Sequence, residues 1–323
     1  MRISQSIRAI AKRTLFPVPA YLKKNQIQIN GIDLNVIEKS IKKNYHTGWR
    51  SEQNYSKEMY EEDLHDHISG RMDHDRRRII PWLDSLKQLN SSQILEIGCG
   101  TGSSTVALAE QGAKVIGIDV DEGALLVAKD RCKVYGLDVE LRFLNANEIS
   151  METFDTRFDY VIFFACLEHM TINERISSLK NTWEMLDKGG FLVIIETPNR
   201  LWYFDNHTSN LPFFHWLPNE LAFRYSRFSP RENFRDKYKK YDTNSKIHFL
   251  RRGRGLSFHE IEIAIKPVQN LKIISSLASY EVFRHQLRQS KLDRKYKSIL
   301  KSIFPDIHSG FFEEFLFLVI KKD

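Results

Sequence analysis

Cysteine and long apolar runs are the two features that this sequence of 323 residues has least of. Its three cysteines, Cys99, Cys132 and Cys166, are far apart and lack metal-ligand spacing, so we expect a reduced, cytoplasmic protein. No apolar run approaches the roughly 20 residues that cross a bilayer, which argues against a membrane-spanning helix. The 42% hydrophobic and 28% charged content is typical of a globular protein with a substantial core.

Acidic residues are absent from positions 1–24, which hold six basic ones. Apolar residues recur there at helical spacing, which predicts a basic amphipathic helix ending before Pro17. Its apolar run is interrupted by Arg8, Lys12 and Arg13, so we expect no signal peptide. Three roles stay open for this helix: peripheral contact with an anionic membrane, an organelle transit peptide, or docking on its own domain.

Residues 32–89 are polar and show no strand-like alternation, so we predict that residues 1–90 form a helical N-terminal cap. Within them His65, Asp66, His67 and His74 suggest a metal site. Residues two apart on a helix do not face the same way, however, and the remaining spacing fits no known ligand set. We therefore predict solvated histidines and no metal.

The sequence is organised around residues 93–120, in which a short apolar run leads into three alternating glycines, Gly98, Gly100 and Gly102. A helical stretch follows, and then a second apolar run that ends at Asp119. This order predicts strand, tight turn, helix, strand and acid, the first half of a nucleotide-binding α/β unit. The glycines allow a sharp turn and close approach of a ligand, and the acid is placed to accept hydrogen bonds from two ribose hydroxyls.

The glycine spacing separates two classes of cofactor. A dinucleotide-binding fingerprint has its third glycine three residues after the second, where this chain has Ser103. The run E-I-G-C-G-T-G resembles motif I of the class I S-adenosylmethionine-dependent methyltransferases. The pattern L-x-K-G-G-x-L-x-I-x-x-x-P-N at residues 186–199 is also similar to that family.

The resemblance implies a donor site for S-adenosyl-L-methionine. In it the three glycines would hold the methionine part and Asp119 the ribose, while Val120, Asn145 and Ala146 would contact the adenine. Asn145 replaces the acid that the family pattern places there, although its amide oxygen can still accept a hydrogen bond. We also assign three further residues to this site: Glu96, Cys99 and Cys166.

A near-continuous apolar run at residues 158–164 predicts a fourth, buried parallel strand that ends in Cys166-Leu167-Glu168-His169. The L-E-H stretch resembles the corresponding motif of ubiquinone-biosynthesis-type O-methyltransferases, which implies that Glu168 and His169 lie near the donor and the acceptor. A helix-capping pair is the alternative interpretation.

Residues 201–218 are unusually aromatic and hold our preferred general base, His207. We expect Asp205 and Asn206 to orient its ring, and Trp202 and Phe204 to exclude water from it. His169 is the second catalytic candidate. Packing of this loop over the sheet, with no acceptor pocket, stays open as the alternative.

Residues 224–254 carry eleven basic residues against three acids, a net charge of +8. Nucleic acid, an anionic glycan, a phospholipid head group or a phosphorylated small molecule would each suit such a segment, as would simple solvation. Nucleic acid is disfavoured, because the Pro-Pro-Tyr type motif of amino-methylating DNA enzymes is absent after the fourth strand.

These observations predict a Rossmann-like, seven-stranded, mostly parallel α/β methyltransferase domain over residues 91–323, with an insertion at about 200–256. A sixth strand, one long basic helix over residues 281–304 and an antiparallel last strand complete it. The predicted reaction is O-methylation of a small molecule, a lipid-linked precursor or a glycan. A nucleic-acid methyltransferase and a non-catalytic scaffold stay open.

Overall fold

The computed structural model describes residues 32–54, 56–238 and 242–323. The amphipathic helix predicted at residues 1–24 lies outside the described residues. The chain divides into two compact units, Met1–Phe143 and Leu144–Asp323. Among the helices of the described ranges, none is long and apolar enough to cross a membrane.

The first unit begins with helices and continues with three parallel strands. Its elements, in chain order, are α1 (Leu34–Ser40), α2 (Lys57–His65), α3 (Arg71–His74), α4 (Ile80–Asp84), β1 (Gln93–Ile97), α5 (Ser103–Ala109), β2 (Lys114–Asp119), α6 (Glu122–Val134) and β3 (Glu140–Phe143). Single π-helical turns join α2, α3 and α4 into one helical segment. The predicted helical character of the N-terminal part is thus confirmed where the structure describes it.

Strand β1 pairs in parallel with β2, and β2 with β3. Four of the five β1 residues are buried, as a central strand covered on both faces requires. Asp121 caps α6 by accepting a hydrogen bond from the Ala124 amide at 3.0 Å. The predicted strand, turn, helix, strand and acid therefore occur in that order.

The second unit combines four strands with the remaining helices. Its elements are β4 (Phe158–Phe164), α7 (Ile172–Met185), β5 (Leu186–Pro198), α8 (Asn219–Tyr225), α9 (Glu232–Arg235), α10 (Thr243–Leu250), α11 (Phe258–Ala264), β6 (Lys272–Ser276), α12 (Leu277–Tyr280), α13 (Val282–Arg288), α14 (Lys291–Ile303) and β7 (Phe315–Lys321). Strand β4 pairs in parallel with β5, whereas β7 runs antiparallel to both β5 and β6. The full sheet has the order β3-β2-β1-β4-β5-β7-β6, which confirms the predicted Rossmann-like fold class.

Two boundaries differ from the sequence prediction. The single helix expected over residues 281–304 is two helices, because Ser290 and Asp293 form a capping box that starts α14 anew. The second is the fifth strand, which the apolar run predicts at residues 191–196. Strand β5 spans Leu186–Pro198, because Leu186 pairs with Phe158 of β4 at its start and Pro198 pairs with Phe315 of β7 at its end.

Residues 211–250 build a small core of their own within the second unit. Its buried members are Leu211, Phe214, Ala222, Phe223, Phe234, Tyr238 and Phe249. The Phe234 ring lies 5.1 Å from Tyr238 and 5.9 Å from Phe214, centroid to centroid, in edge-to-face contacts. Five aromatic residues of the insertion therefore form the core that holds it together.

We expect Phe234→Ala to lower the free energy of unfolding by about 3–5 kcal/mol, because Phe234 is 1% exposed and its removal leaves a cavity. The matched control is Phe228→Ala, since Phe228 is 59% exposed. Urea denaturation followed by fluorescence measures both. Equal destabilisation by the two variants would contradict a packed core in the insertion.

Candidate functional site

The turn after β1 is built by three glycines in the left-handed region. Gly98, Gly100 and Gly102 have φ values of +77°, +51° and +80°. A Cβ on Gly102 would lie 2.9 Å from the backbone of Ala128, so this glycine lets α6 pack against the turn. A Cβ on Gly100 would meet nothing within 4 Å. The space beside Gly100 is thus open to a ligand.

Asp119, at the carboxyl end of β2, is fixed beside that space. Its carboxylate accepts hydrogen bonds from the Gly100 amide at 2.8 Å and the Asp121 amide at 2.9 Å. Burial raises the pKa of Asp119, while these two amides oppose that shift. A carboxylate has about four acceptor positions, so two remain for ribose hydroxyls.

Two of the predicted donor contacts have partners within the first unit. Glu96 is fully buried and accepts hydrogen bonds from the Ser104 and Thr105 hydroxyls of α5, the latter at 2.6 Å. Burial raises the pKa of Glu96 to about 7. The Cys99 side chain lies close to Gly117 of β2. Contact of Glu96 and Cys99 with the donor stays a prediction.

The sequence predicted that the histidines of the N-terminal part are solvated, but one of them is buried. His67 is 4% exposed, and its Nδ1 lies 3.2 Å from the Thr101 hydroxyl in the glycine turn. Burial and the charge of Arg71 lower the pKa of His67 to about 3. A neutral His67 therefore packs against the glycine turn. Local sequence could not predict this burial, because the contact with Thr101 is long-range.

The predicted adenine contacts lie in both units. Val120, in the first, is 57% exposed. In the second, Ala146 is buried, and the Asn145 amide oxygen accepts a hydrogen bond from the Asn147 amide at 3.4 Å. The role of all three toward adenine stays a prediction.

The carboxyl ends of β4 and β5 carry strained backbone. Ala165 and Glu196 adopt φ values of +43° and +56°. For a residue other than glycine, this left-handed region is unfavourable in free energy. The strained turn after β4 leads through Cys166, which is half-buried, to Glu168. Glu168 has no exposed surface, and neither of its carboxylate oxygens has a hydrogen-bond partner among the described residues. Burial raises its pKa.

Two histidines converge on that unpartnered carboxylate. The Nε2 atoms of His169 and His207 lie 3.8 Å and 3.9 Å from Glu168 Oε1. The ligand atoms of the three residues all lie within 4.8 Å of one another, a grouping that could hold a divalent cation and that the sequence analysis did not foresee. An oxygen placed among the three atoms would lie within hydrogen-bonding distance of each.

The other ring nitrogen of each histidine is a hydrogen-bond donor. His169 Nδ1 lies 2.8 Å from the Arg251 carbonyl oxygen, which can only accept. His207 Nδ1 lies 2.9 Å from the Thr208 hydroxyl, whose own hydrogen is donated to the Gly253 carbonyl. This network assigns the proton to Nδ1 in both rings. Both Nε2 lone pairs therefore face Glu168.

Asp205 does not orient the His207 ring, contrary to the sequence prediction. Its carboxylate accepts hydrogen bonds from the backbone amides of His207, Thr208 and Ser209 at 2.6–3.0 Å. It also pairs with His215, whose Nε2 lies 3.1 Å from Asp205 Oδ1. Asn206 bonds Glu314 instead. Asp205 thus folds the turn that presents His207, whereas Thr208 orients the ring.

Two other expectations for this region are corrected. Trp202 packs on Tyr203 and Tyr296, so it does not shield His207, whose aromatic neighbour is Phe315 at 6.4 Å. The basic segment is partly internal. Arg231 donates to the carbonyls of residues 206–208, and buried Arg254 to those of Phe214 and Leu217.

Comparison with known proteins identifies a domain in this chain. Residues 94–190 match a family model described as a methyltransferase domain. The chain carries a class I S-adenosylmethionine-dependent methyltransferase domain. The matched residues include the glycine turn and Asp119.

The curated relatives match only part of this chain. The chain is 34% identical over 121 residues to the ubiquinone biosynthesis O-methyltransferase of Pseudomonas entomophila (strain L48), which is 38% of this chain and 50% of that protein. The enzyme of the same name from Pseudomonas fluorescens (strain SBW25) is 33% identical over the same shares. The chain therefore spans about half the length of the curated relatives it matches.

Two solved structures illustrate the structural likeness. Magnesium protoporphyrin IX methyltransferase from Synechocystis PCC 6803 with bound SAM is 19% identical, with a TM-score of 0.38 over 52% of this chain and 77% of that one. PKMT2 from Rickettsia typhi in complex with AdoHcy is also 19% identical, with a TM-score of 0.46 over 75% of this chain and 52% of that one.

We expect Asp119→Ala to lower the affinity for S-adenosylhomocysteine tenfold or more, because it removes two charge-assisted hydrogen bonds worth roughly 1.5–3 kcal/mol each. Isothermal titration calorimetry measures the change. Glu122→Ala is the control, since Glu122 is a neighbouring exposed acid on α6. Unchanged affinity of Asp119→Ala would refute the ribose assignment.

Proposed function

We propose that this protein transfers the methyl group of S-adenosylmethionine to an oxygen of a small molecule, a lipid-linked precursor or a glycan. The observation that carries the proposal is the convergence of the His169 and His207 Nε2 lone pairs on the buried, unpartnered carboxylate of Glu168. Such a cluster suits an acceptor that must lose a proton. The O-methyltransferases among the relatives support the same kind of acceptor.

The donor supplies an activated methyl group, so the protein has two tasks. The first is to hold the donor, for which we propose the open space beside Gly100 and the carboxylate of Asp119. The second is to orient the acceptor oxygen for in-line attack and to take its proton. Positioning alone contributes a large share of such a rate acceleration.

We propose His207 as the proton acceptor. Its Nδ1–H is donated to Thr208, so the Nε2 lone pair is free to take a proton from an acceptor hydroxyl. The Glu168 carboxylate, 3.9 Å from that nitrogen, would then stabilise the imidazolium. The role of Asp205 in this proposal is to fold the turn that carries His207.

The state of His207 before reaction suits this role. Burial, with the neighbouring His169, His215 and Arg231, lowers the pKa of His207 to about 4, although Asp205 opposes the shift. The imidazole is therefore neutral at physiological pH. Its low basicity makes the adjacent Glu168 important, because a nearby negative charge favours the protonated ring.

We expect His207→Ala to lower methyl transfer by roughly 10²–10⁴-fold, the usual contribution of a general base, while donor affinity is unchanged. Transfer is measured with labelled donor in fractionated lipid, glycan and RNA extracts. His259→Ala is the control, because His259 is exposed on α11 and contacts only Phe258 among rings.

Three results would contradict this assignment. Full activity of His207→Ala together with loss in His169→Ala would reverse the two roles. Label entering the RNA fraction would redirect the proposal to a nucleic-acid acceptor. Loss of wild-type activity on adding a chelator would reassign the cluster to a divalent cation.

The pH dependence of kcat/KM provides a separate test. Because its pKa is lowered, His207 stays neutral and able to accept a proton at pH values below 6.5, the ordinary pKa of histidine. We therefore expect the acidic limb of the profile between about pH 4 and pH 5.5. An acidic limb at pH 6.5 or above would show that a solvated histidine, or another group, takes the proton.

A further inference from the structure

A pocket of about 180 Å³ opens beside the loop that carries Glu168 and His169. Its polar lining consists of three arginines, with a hydroxyl and two amides: Arg175, Arg200, Arg254, Thr171, Asn173 and Asn219. The mechanism proposed above uses none of these side chains. All of them belong to the second unit.

Two of the arginines are fixed structural members. Arg175 is 1% exposed and donates to the carbonyls of Met170, Glu168, Gly255 and Arg254 at 2.6–3.3 Å. Arg254 is 6% exposed and donates to two carbonyls of residues 214–217. Carbonyl oxygens satisfy the N–H groups but carry no net charge, so both positive charges persist at the pocket wall.

Arg200 differs from these two. It follows β5, where its backbone amide is held by the Leu256 carbonyl at 2.9 Å. Within the described residues its guanidinium has no hydrogen-bond or ion-pair partner. A half-buried guanidinium that faces a cavity retains five free N–H donors in a planar fork.

Carboxylates compensate part of the positive charge of the three arginines. Glu260 pairs with Arg175 at 3.1 Å, and Glu174 is paired with Arg251. The charges of Glu168 and Asp205 also act on Arg175 and Arg254, respectively. Repulsion among the arginines persists, because burial and the charges of Arg200 and Arg175 lower the pKa of Arg254 to about 9.

We propose that this pocket binds a phosphoryl group of the methyl acceptor. A phosphate monoester carries a charge of about −1.5 to −2 at neutral pH and three acceptor oxygens, which suit the unpaired charge and the free fork of Arg200. The pocket also receives the first turn of the 14-residue helix α7, whose positive end adds to the same field. This inference rests on the proposed function, since it defines the acceptor of that reaction.

The position of the pocket connects it with the reacting cluster. Arg175 and Arg254 both donate to the carbonyl of Glu168, Arg254 through its backbone amide at 2.9 Å. Met170 and Thr171, which line the pocket, directly follow His169. The proposal therefore places the phosphoryl group of the acceptor in this pocket and its hydroxyl at the cluster of Glu168, His169 and His207.

Calorimetry with inorganic pyrophosphate as the probe tests the proposal on the full chain. We expect saturable binding to the wild type, weakened about tenfold or more by Arg200→Gln and less by Arg200→Lys, which keeps the charge but lacks the planar fork. Arg224→Gln is the matched control, because Arg224 is an exposed arginine of α8 outside the pocket. It should bind pyrophosphate like the wild type.

Equal weakening by Arg200→Gln and Arg224→Gln, or no binding to the wild type, would overturn the proposal. Malonate serves as a carboxylate comparator, and tighter binding of malonate than of pyrophosphate would also overturn it. S-adenosylhomocysteine affinity, measured in parallel, separates this result from failure of the proposed function, because donor binding does not involve Arg200.

The source of the phosphoryl group is resolved by competition. Displacement of pyrophosphate from the wild type by a soluble sugar phosphate would indicate a free acceptor. Displacement by vesicles of phosphatidic acid would indicate a lipid-carried acceptor. Either displacement supports the pocket. Failure of both ligands to displace pyrophosphate would contradict a role in acceptor binding.

Discussion

The loop that carries Glu168 and His169 depends on the guanidinium of Arg175. From within α7, it gathers the carbonyl oxygens of two separate stretches, residues 168–170 and 254–255, and it pairs with Glu260. A buried cation of this kind is costly unless nearly all of its donors are used, and here they are. Because the Glu168 carbonyl is one of its partners, the same cation fixes the loop that carries the reacting cluster.

The strand, glycine turn, helix and strand of residues 93–119 could be predicted from local sequence. Glycine spacing, two apolar runs and Asp119 are short-range signals, and each acts through the backbone of its own neighbours. Helix starts are equally local, since Ser257 and Glu260, three residues apart, form a capping box. The wrong details, such as the buried His67, arise where a side chain contacts a residue far away in the sequence.

The acceptor half could be predicted only as a set of residue types. Asp205 and His207 were correctly singled out as neighbours, yet Asp205 binds backbone amides and His215, because several amides of one turn outcompete one imidazole for a carboxylate. The net charge of a sequence segment was also insufficient to predict where the arginine pocket lies. Of the three pocket arginines only Arg254 belongs to the basic segment, so net charge along the sequence did not locate the positive cavity.

The charges of the two proposed sites complement each other. Transfer of a methyl group from a sulfonium to a neutral hydroxyl releases a proton, so a buried carboxylate beside two imidazoles suits the reacting centre. An excess of buried positive charge there would instead oppose protonation of His207. A phosphoryl group bound in the arginine pocket would therefore position the acceptor and also offset the charges of Arg200 and Arg175, which lower the pKa of Arg254.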